Sequence, residues 1–236
     1  MKEIELGEKI VTWLQVKGWE VYQEVSIWGK TADIVAVKNN KVWIIECKVS
    51  LTFDLLAQAC YWKPYANYSS IAIPESTSYK RSKGRSFAFG ICKEKGIGVL
   101  KLNHHKSVYS ENEHWSIIQS IKPKPNDRAK KWSAEHIQSK LLEEQKTYAK
   151  AGSPGNVKKF TRFKKTCLEL EEIVKDNPGI ELKEAVKKIG HHYKTNHSAI
   201  ASISKYLTGK KKIIENIKME IIEGKKMLYF LGTSEE

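Results

Sequence analysis

The stretch Thr31-Ala32-Asp33-Ile34-Val35-Ala36-Val37-Lys38-Asn39-Asn40-Lys41-Val42-Trp43-Ile44-Ile45-Glu46-Cys47-Lys48 decides how the first half of this chain folds. Two apolar runs flank Asn39-Asn40, and Asn tolerates the positive φ that a two-residue hairpin turn requires. With that turn, residues pair when their numbers add to 79. Side chains alternate along a strand, so Val35, Val37, Val42 and Ile44 share one face, while Ile34, Ala36, Trp43 and Ile45 share the other. A hairpin apolar on both faces belongs in the middle of a covered sheet. The same register sets Asp33 opposite Glu46, with Lys48 two residues on and on their face.

Opposed carboxylates in a sheet have Cβ atoms only ~5 Å apart and repel each other. Burying them is costly unless something compensates. A divalent cation does so by taking an oxygen from each, and Mg²⁺, with Mn²⁺ as substitute, suits oxygen ligands and retained waters. Such an ion polarises a phosphate and lowers the pKa of a water. Lys48 is placed to orient that water or to stabilise negative charge in the transition state. The plainer reading makes Asp33 and Glu46 solvent-edge residues neutralised by Lys48.

Outward from the hairpin, residues 3–17 carry Ile4, Ile10, Val11, Trp13 and Leu14 at helical spacing, closed by Gly18, with Glu8 on the shoulder of the stripe. Residues 20–27 read as a strand. Thr52 caps a helix running to about Lys63, stopped by Pro64. A strand (69–73), a basic stretch (79–85), a helix (86–94) and a strand (97–102) follow. This order is a mixed α/β plan. Lys122-Pro123-Lys124-Pro125-Asn126 opens a linker over 123–155 that carries a polar helix at 133–149. Residues 156–236 then read as helices at 161–176, 181–189 and 197–207, with two strands (213–217 and 218–231) around Glu223-Gly224. Three helices followed by a hairpin is the winged-helix plan. The domains expected are therefore a core at 1–122, the linker, and a smaller, mostly α, winged-helix-like unit at 156–236.

The chain has 236 residues with 41 Lys and Arg against 27 Asp and Glu, a net charge of +14. Basic side chains exceed acidic ones by 18 to 12 in residues 1–125 and by 23 to 15 in 126–236, so neither half alone carries the excess. Such a surface attracts a polyanion, most commonly nucleic acid. No apolar run reaches the ~20 residues of a membrane span, and the Glu-rich start is no signal peptide. Cys47, Cys60, Cys92 and Cys167 form no Cys-x-x-Cys pair, which argues against zinc and against a disulfide scaffold. A reducing, cytoplasmic setting fits, nucleoid-associated in a prokaryote or a phage-infected cell. His104-His105 and His191-His192 lack companion ligands and read as surface or packing histidines. Tyr61, Trp62 and Tyr65 read as helix-packing aromatics rather than a base-stacking platform.

The segments 31–37 and 42–48 closely resemble the signature of the PD-(D/E)XK nuclease superfamily, and the likeness in element order extends over roughly residues 3–102. Ala32 stands where the nominal motif has Pro. The resemblance implies a restriction-endonuclease-like mixed sheet flanked by helices, with Asp33 and Glu46 as metal ligands and Lys48 as catalytic. Glu8 matches in position the first-helix Glu of archaeal Holliday-junction resolvases, which implies a third metal ligand. Gln58, with Tyr61, resembles the Gln-x-x-x-Tyr region of exonuclease-like branches, one residue short in spacing.

Phosphate contacts are expected from Arg81, Lys83 and Arg85, which follow a strand of the catalytic sheet. Lys158, Lys159 and Arg162 are expected to act likewise at the start of the basic unit. In the third helix of that unit, Ile200, Ile203 and Leu207 face inward, while Thr195, Asn196, Ser198, Ser202 and Lys205 face outward and suit a major groove. Lys210, Lys211 and Lys212 place charge where backbone phosphates would lie. The reading is a Mg²⁺-dependent DNA endonuclease acting on double-stranded or branched DNA, with no small-molecule ligand and homodimerisation left open. Its rivals are a DNA-binding regulator or adaptor that kept the fold without the chemistry, and an RNA-directed protein. A third is a transposon end-cleaving subunit, although those typically show Gln at the position of Glu46.

Overall fold

Asn39 and Asn40 take φ of 49° and 59°, and in the computed structural model they form the two-residue turn that fixes the sheet. Strands β2 (Lys30–Lys38) and β3 (Lys41–Cys47) pair antiparallel from Lys38↔Lys41 through Ile34↔Ile45, the register the turn requires. The two faces separate as the alternation predicts. Ile34, Ala36, Trp43 and Ile45 join one core cluster; Val35, Val42 and Ile44 join another, with Val37 packed against it. The structure describes residues 1–75, 83–106, 113–126, 131–153, 159–208 and 214–231. The chain divides into two compact units, Met1–Phe160 and Thr161–Glu236.

The first unit is a six-stranded mixed sheet in the order β1-β2-β3-β4-β5-β6. Strands β1 (Glu20–Ile27), β2 and β3 run antiparallel, β4 (Tyr68–Pro74) and β5 (Gly98–Lys106) continue parallel to β3, and β6 (Glu113–Ile121) returns antiparallel at the edge. Helix α1 (Glu3–Val16) covers one face through Leu6, Ile10, Val11 and Leu14. Its Gly7 is needed for close approach, because a Cβ there would stand 2.4 Å from the Ala151 carbonyl. Helices α2 (Phe53–Trp62) and α3 (Lys83–Lys95) cover part of the other face through Leu55, Leu56, Ala59, Ala88 and Cys92. Thr52 caps α2 as expected, accepting from the Leu55 N–H at 3.2 Å.

Three features differ from the sequence reading. Strand β6 was not anticipated; Trp115 and Ile117 pack inward, but Ile118 is 45% exposed and blurs the alternation. The helix expected over 133–149 is α4 (Lys131–Gln138), followed by a short 3₁₀ turn at Glu143–Lys146. That turn is held by tertiary and local contacts. Gln145 folds back so that its Oε1 accepts from the Leu142 N–H and its amide donates to the Phe160 carbonyl. The segment expected as a linker therefore packs on the first unit, with Ala134, Ile137, Ala149 and Ala151 buried.

The second unit contains α5 (Arg162–Asp176), β7 (Ile180–Glu181), α6 (Leu182–Lys188), α7 (Asn196–Thr208), β8 (Ile217–Ile222) and β9 (Lys225–Phe230). The strands form a small antiparallel sheet in the order β7-β9-β8. Glu223 and Gly224 take φ of 51° and 77° and close the β8–β9 hairpin, both of whose strands start later than expected. Leu170, Val174, Leu182, Val186, Ile203, Leu207, Ile217 and Leu228 make a core of its own. The two-residue strand β7 was too short to be read as a strand. Among the described residues, no helix is long and apolar enough to cross a membrane.

Candidate active site

The register that pairs Ile34 with Ile45 carries one step further to set Asp33 against Glu46. Glu46 is 2% exposed and Asp33 partly so. Each carboxylate is gripped by an N–H. Asp33 Oδ2 accepts from the Cys47 amide at 2.8 Å, and Glu46 Oε1 accepts from the Trp62 indole Nε1 at 2.5 Å. Trp62, the last residue of α2, is 1% exposed and packs in the cluster that holds Val42 and Ile44. The two carboxyl groups also hydrogen-bond each other. Burial raises both pKa values: Glu46 goes to about 9, with the Asp33 charge adding to the rise, and Asp33 to about 6, with the Glu24 charge adding and the hydrogen bond to Glu46 holding it down. Glu46, the more strongly raised of the two, is the donor in that hydrogen bond.

A third acid stands beside them that the sequence reading missed. Strand β1 pairs with β2 at Gln23↔Ile34 and again at Val25↔Ala32, which leaves Glu24 opposite Asp33. Glu24 is 3% exposed with φ of 53°; its Oε1 accepts from the Gly152 N–H at 3.1 Å and its Oε2 meets Lys159 Nζ at 3.1 Å. Its charge contributes to the rise at both Asp33 and Glu46. The register rule applied to the Trp28-Gly29 turn would have placed it. That turn went unread because Trp rarely takes the positive φ found here, 48° at Trp28 and 76° at Gly29.

Two expected members of the site lie elsewhere. Glu8 faces away, forming an ion pair with Lys150 in a hollow lined by Lys9, Thr12, Gln23 and Lys146. The acid on α1 whose charge is felt at Asp33 is Glu3, five residues earlier and roughly 140° around the helix. Gln58 is exposed on α2; Trp62, one turn along, is the residue that reaches Glu46. Lys48 stays adjacent. It is half-buried, just past the end of β3, and its amide donates to the Ala72 carbonyl at 3.0 Å, extending the parallel pairing with β4.

The expected phosphate-binding residues divide. Lys83 is exposed at the start of α3, whereas the Arg85 guanidinium is turned to the Pro74 carbonyl (3.4 Å) and lies over the Phe89 ring. Lys159 is a correction: it belongs to the first unit and neutralises Glu24. Arg162 is exposed in the first turn of α5. In α7, Asn196, Ser198 and Lys205 are exposed as expected, Asn196 Oδ1 lying 2.8 Å from His191 Nε2. Ser202 is half-buried and hydrogen-bonded to Tyr193. Arg81, Lys158, Lys210, Lys211 and Lys212 lie outside the described residues. His104 stacks on Trp115 and His192 on Tyr193, in keeping with packing roles.

Among the described residues, no group of three or more His, Cys, Asp or Glu is arranged to hold a metal ion. That excludes a closed tetrahedral site built from these residues. Mg²⁺ needs less, because it binds through one or two carboxylates and keeps its waters. Asp33 and Glu46 hydrogen-bond each other, so each brings a carboxyl oxygen to the same place.

The raised carboxyls have a consequence for stability. Both hold protons in the folded protein at pH values where the unfolded chain has released them, so the metal-free fold is most favoured below the ordinary carboxylate range. It loses stability as pH rises through about 6 and then about 9. Glu46→Gln, which keeps the shape without the charge, is expected to flatten that slope, measured as Tm against pH in EDTA. An unchanged slope would show that the pair is not the source. Lys159→Ala is expected to lower stability by about 3–5 kcal/mol, because Glu24 would be left buried without its cation. Urea unfolding checks this. A variant of normal stability with weakened DNA binding would return Lys159 to the phosphate-contact role.

No protein-family model matches the chain, and no curated protein matches it in sequence.

Proposed function

We propose that the first unit is a divalent-metal-dependent nuclease of the PD-(D/E)XK kind acting on DNA, and that the second is a winged-helix-like DNA-binding module. The observation that carries the first proposal is the opposed Asp33–Glu46 pair, with Glu46 buried and both carboxyls raised in pKa, at the end of the hairpin with Lys48 next to it in sequence. A protein that needed only a stable hairpin would fill these positions with apolar residues at lower cost. The mixed sheet covered by helices on both faces supports a restriction-endonuclease-like core.

Asp33 and Glu46 would hold Mg²⁺ in place of their shared proton. When bound, the ion supplies charge that polarises a phosphate and acidifies a water. The Cys47 amide holds Asp33 Oδ2 and the Trp62 indole holds Glu46 Oε1, which would fix the orientation of both carboxylates before a cation or substrate arrived. Lys48 offers a cation to the negative charge that builds on the phosphate as the phosphodiester bond breaks. Burial of Glu46 keeps water from weakening these interactions.

In the second unit, the order helix, strand, two helices and a hairpin, with the first strand pairing to the last, supports a winged-helix-like arrangement. Helix α7 then presents Asn196, Ser198 and Lys205 to a groove.

Nicking of supercoiled plasmid tests the chemistry. Cleavage is expected with Mg²⁺ or Mn²⁺ and none in EDTA. Asp33→Ala and Glu46→Ala are expected to abolish it while DNA binding persists, and Lys48→Ala to lower turnover by about 10²–10³ with little loss of affinity. Intact binding without cleavage under any divalent ion would replace the nuclease with a DNA-binding adaptor. For the second unit, fluorescence anisotropy at several salt concentrations is the measurement. Lys205→Ala should weaken binding to all sequences and reduce the salt slope by about one, whereas Asn196→Ala should change which sequence is preferred. If neither variant has an effect, the second unit is a protein-docking module.

A further inference from the structure

A continuous file of aromatic rings leads away from the carboxylate pair. It begins at Trp62, whose indole N–H grips Glu46. Tyr61 meets Trp62 with ring centroids 4.8 Å apart, Tyr65 lies 5.6 Å from Tyr61, and Trp28 lies 4.7 Å from Tyr65. Trp132 and His136 on α4 complete it, at 6.2 and 5.2 Å from Trp28, with His136 stacked nearly parallel on the Trp28 ring. Exposure rises along the file, from 1% at Trp62 to 38% at Trp28 and 51% at Trp132. Trp62 is therefore a packing residue, as its sequence context implied. The outer rings are not buried.

Two further observations say what would cover the outer end. Lys30, exposed, places its Nζ 4.3 Å from the centre of the Tyr61 ring, so the file carries a cation at its flank. Lys30 also precedes Asp33 on strand β2 by three residues, about 10 Å along an extended strand, and Trp28 stands in the turn that leads into that strand. That is a span of a few nucleotides. Flat rings with a lysine beside them accept any base through its π-face and the phosphate through charge. A protein partner or a lipid surface would not call for a cation held against a ring within reach of a phosphate-handling site.

Trp28 itself is held in an unfavourable conformation. It occupies the first position of a turn with both central residues at positive φ, where Asn, Asp or Gly is usual. A bulky residue kept there implies that the ring is wanted at that corner.

We infer that Trp132, the most exposed ring of the file, backed by Trp28, Tyr65 and His136 and with Lys30 beside them, forms a stacking site for unpaired nucleotides, which would select DNA with a single-stranded stretch beside the cleaved phosphate. The inference rests on the nuclease reading for its link to Asp33 and Glu46. The binding it claims is measured without cleavage.

The experiment uses the full chain in EDTA with fluorescently labelled oligonucleotides: a single strand, a fully paired duplex, and a duplex with a single-stranded flap. Trp132→Ala and Lys30→Ala are each expected to weaken single-strand and flap binding by about tenfold and to leave duplex binding within about twofold. Trp132→Phe should recover most of the loss, because a ring is restored. Oligo-dT should quench tryptophan emission of the wild-type chain, less so in Trp132→Phe. Equal loss on all three substrates would reduce the platform to a general electrostatic contact and overturn the inference. So would unchanged binding of all three, or a shift in oligomeric state with Trp132→Ala on a sizing column, which would make the patch a self-interface. Loss of plasmid nicking with intact flap selectivity would sink the nuclease reading and leave the platform standing.

Discussion

The mutual repulsion of Asp33 and Glu46 is the constraint that the first unit is arranged around. Like charges directly opposite one another destabilise a sheet, and burial in a covered sheet multiplies the penalty. The structure answers with a shared proton, an indole donor at one carboxylate, a backbone donor at the other, and a lysine that neutralises the third acid nearby. These devices offset the charge without replacing the groups that carry it. Each holds a carboxylate in one orientation, and an apolar pair would have been simpler. The hairpin turn at Asn39-Asn40 makes the repulsion unavoidable, because a slip of one residue would turn Val35, Ile44 and the rest of each face inside out.

The parts of this arrangement visible in sequence are those fixed by local geometry. Asn39-Asn40 sets the register, the register sets the two apolar faces, and the faces appear in the core as predicted. Thr52, Gly18 and Pro64 mark helix ends through backbone preferences that act over a few residues. What was not visible depends on the rest of the fold. Glu24 enters through a turn whose first residue, Trp28, gives no turn signal. The helix expected over 133–149 ends at Gln138 with no Gly or Pro to mark the spot, and the 3₁₀ turn that follows is held by Gln145, which finds partners within the folded unit. Glu8 had the right spacing for the stripe but sits on the wrong side of it, since helix phase read from a few apolar residues leaves the shoulder ambiguous by a residue or more.

The basic surplus also divides differently from what composition implies. Lys146 and Lys150 face Glu20, Glu143 and Glu8, Lys101 faces Glu75, and Lys159 faces Glu24. Lys38 and Lys63 donate to the carbonyls of Lys17 and Lys124. These lysines stabilise the first unit, and counting them as phosphate contacts overstates how tightly that unit holds DNA through charge alone. A weak electrostatic grip would suit the proposed nuclease unit, because affinity shared equally by substrate and transition state adds nothing to turnover.

The proposed readings of the two units are complementary on the same grounds. A groove helix with small polar side chains distinguishes base edges of a duplex, and its discrimination depends on intact pairing. A file of rings is indifferent to base identity and requires that pairing be absent. A chain with both would recognise a junction between paired and unpaired DNA rather than a sequence or a strand alone. The Trp28 turn is in keeping with the proposed division of labour: Trp28 stands at the corner of the hairpin that carries Asp33 and its ring packs against Trp132, so an unpaired base stacked on Trp132 would lie beside that hairpin. A fully paired duplex offers those rings no exposed base face, and loses that positioning while keeping its phosphates.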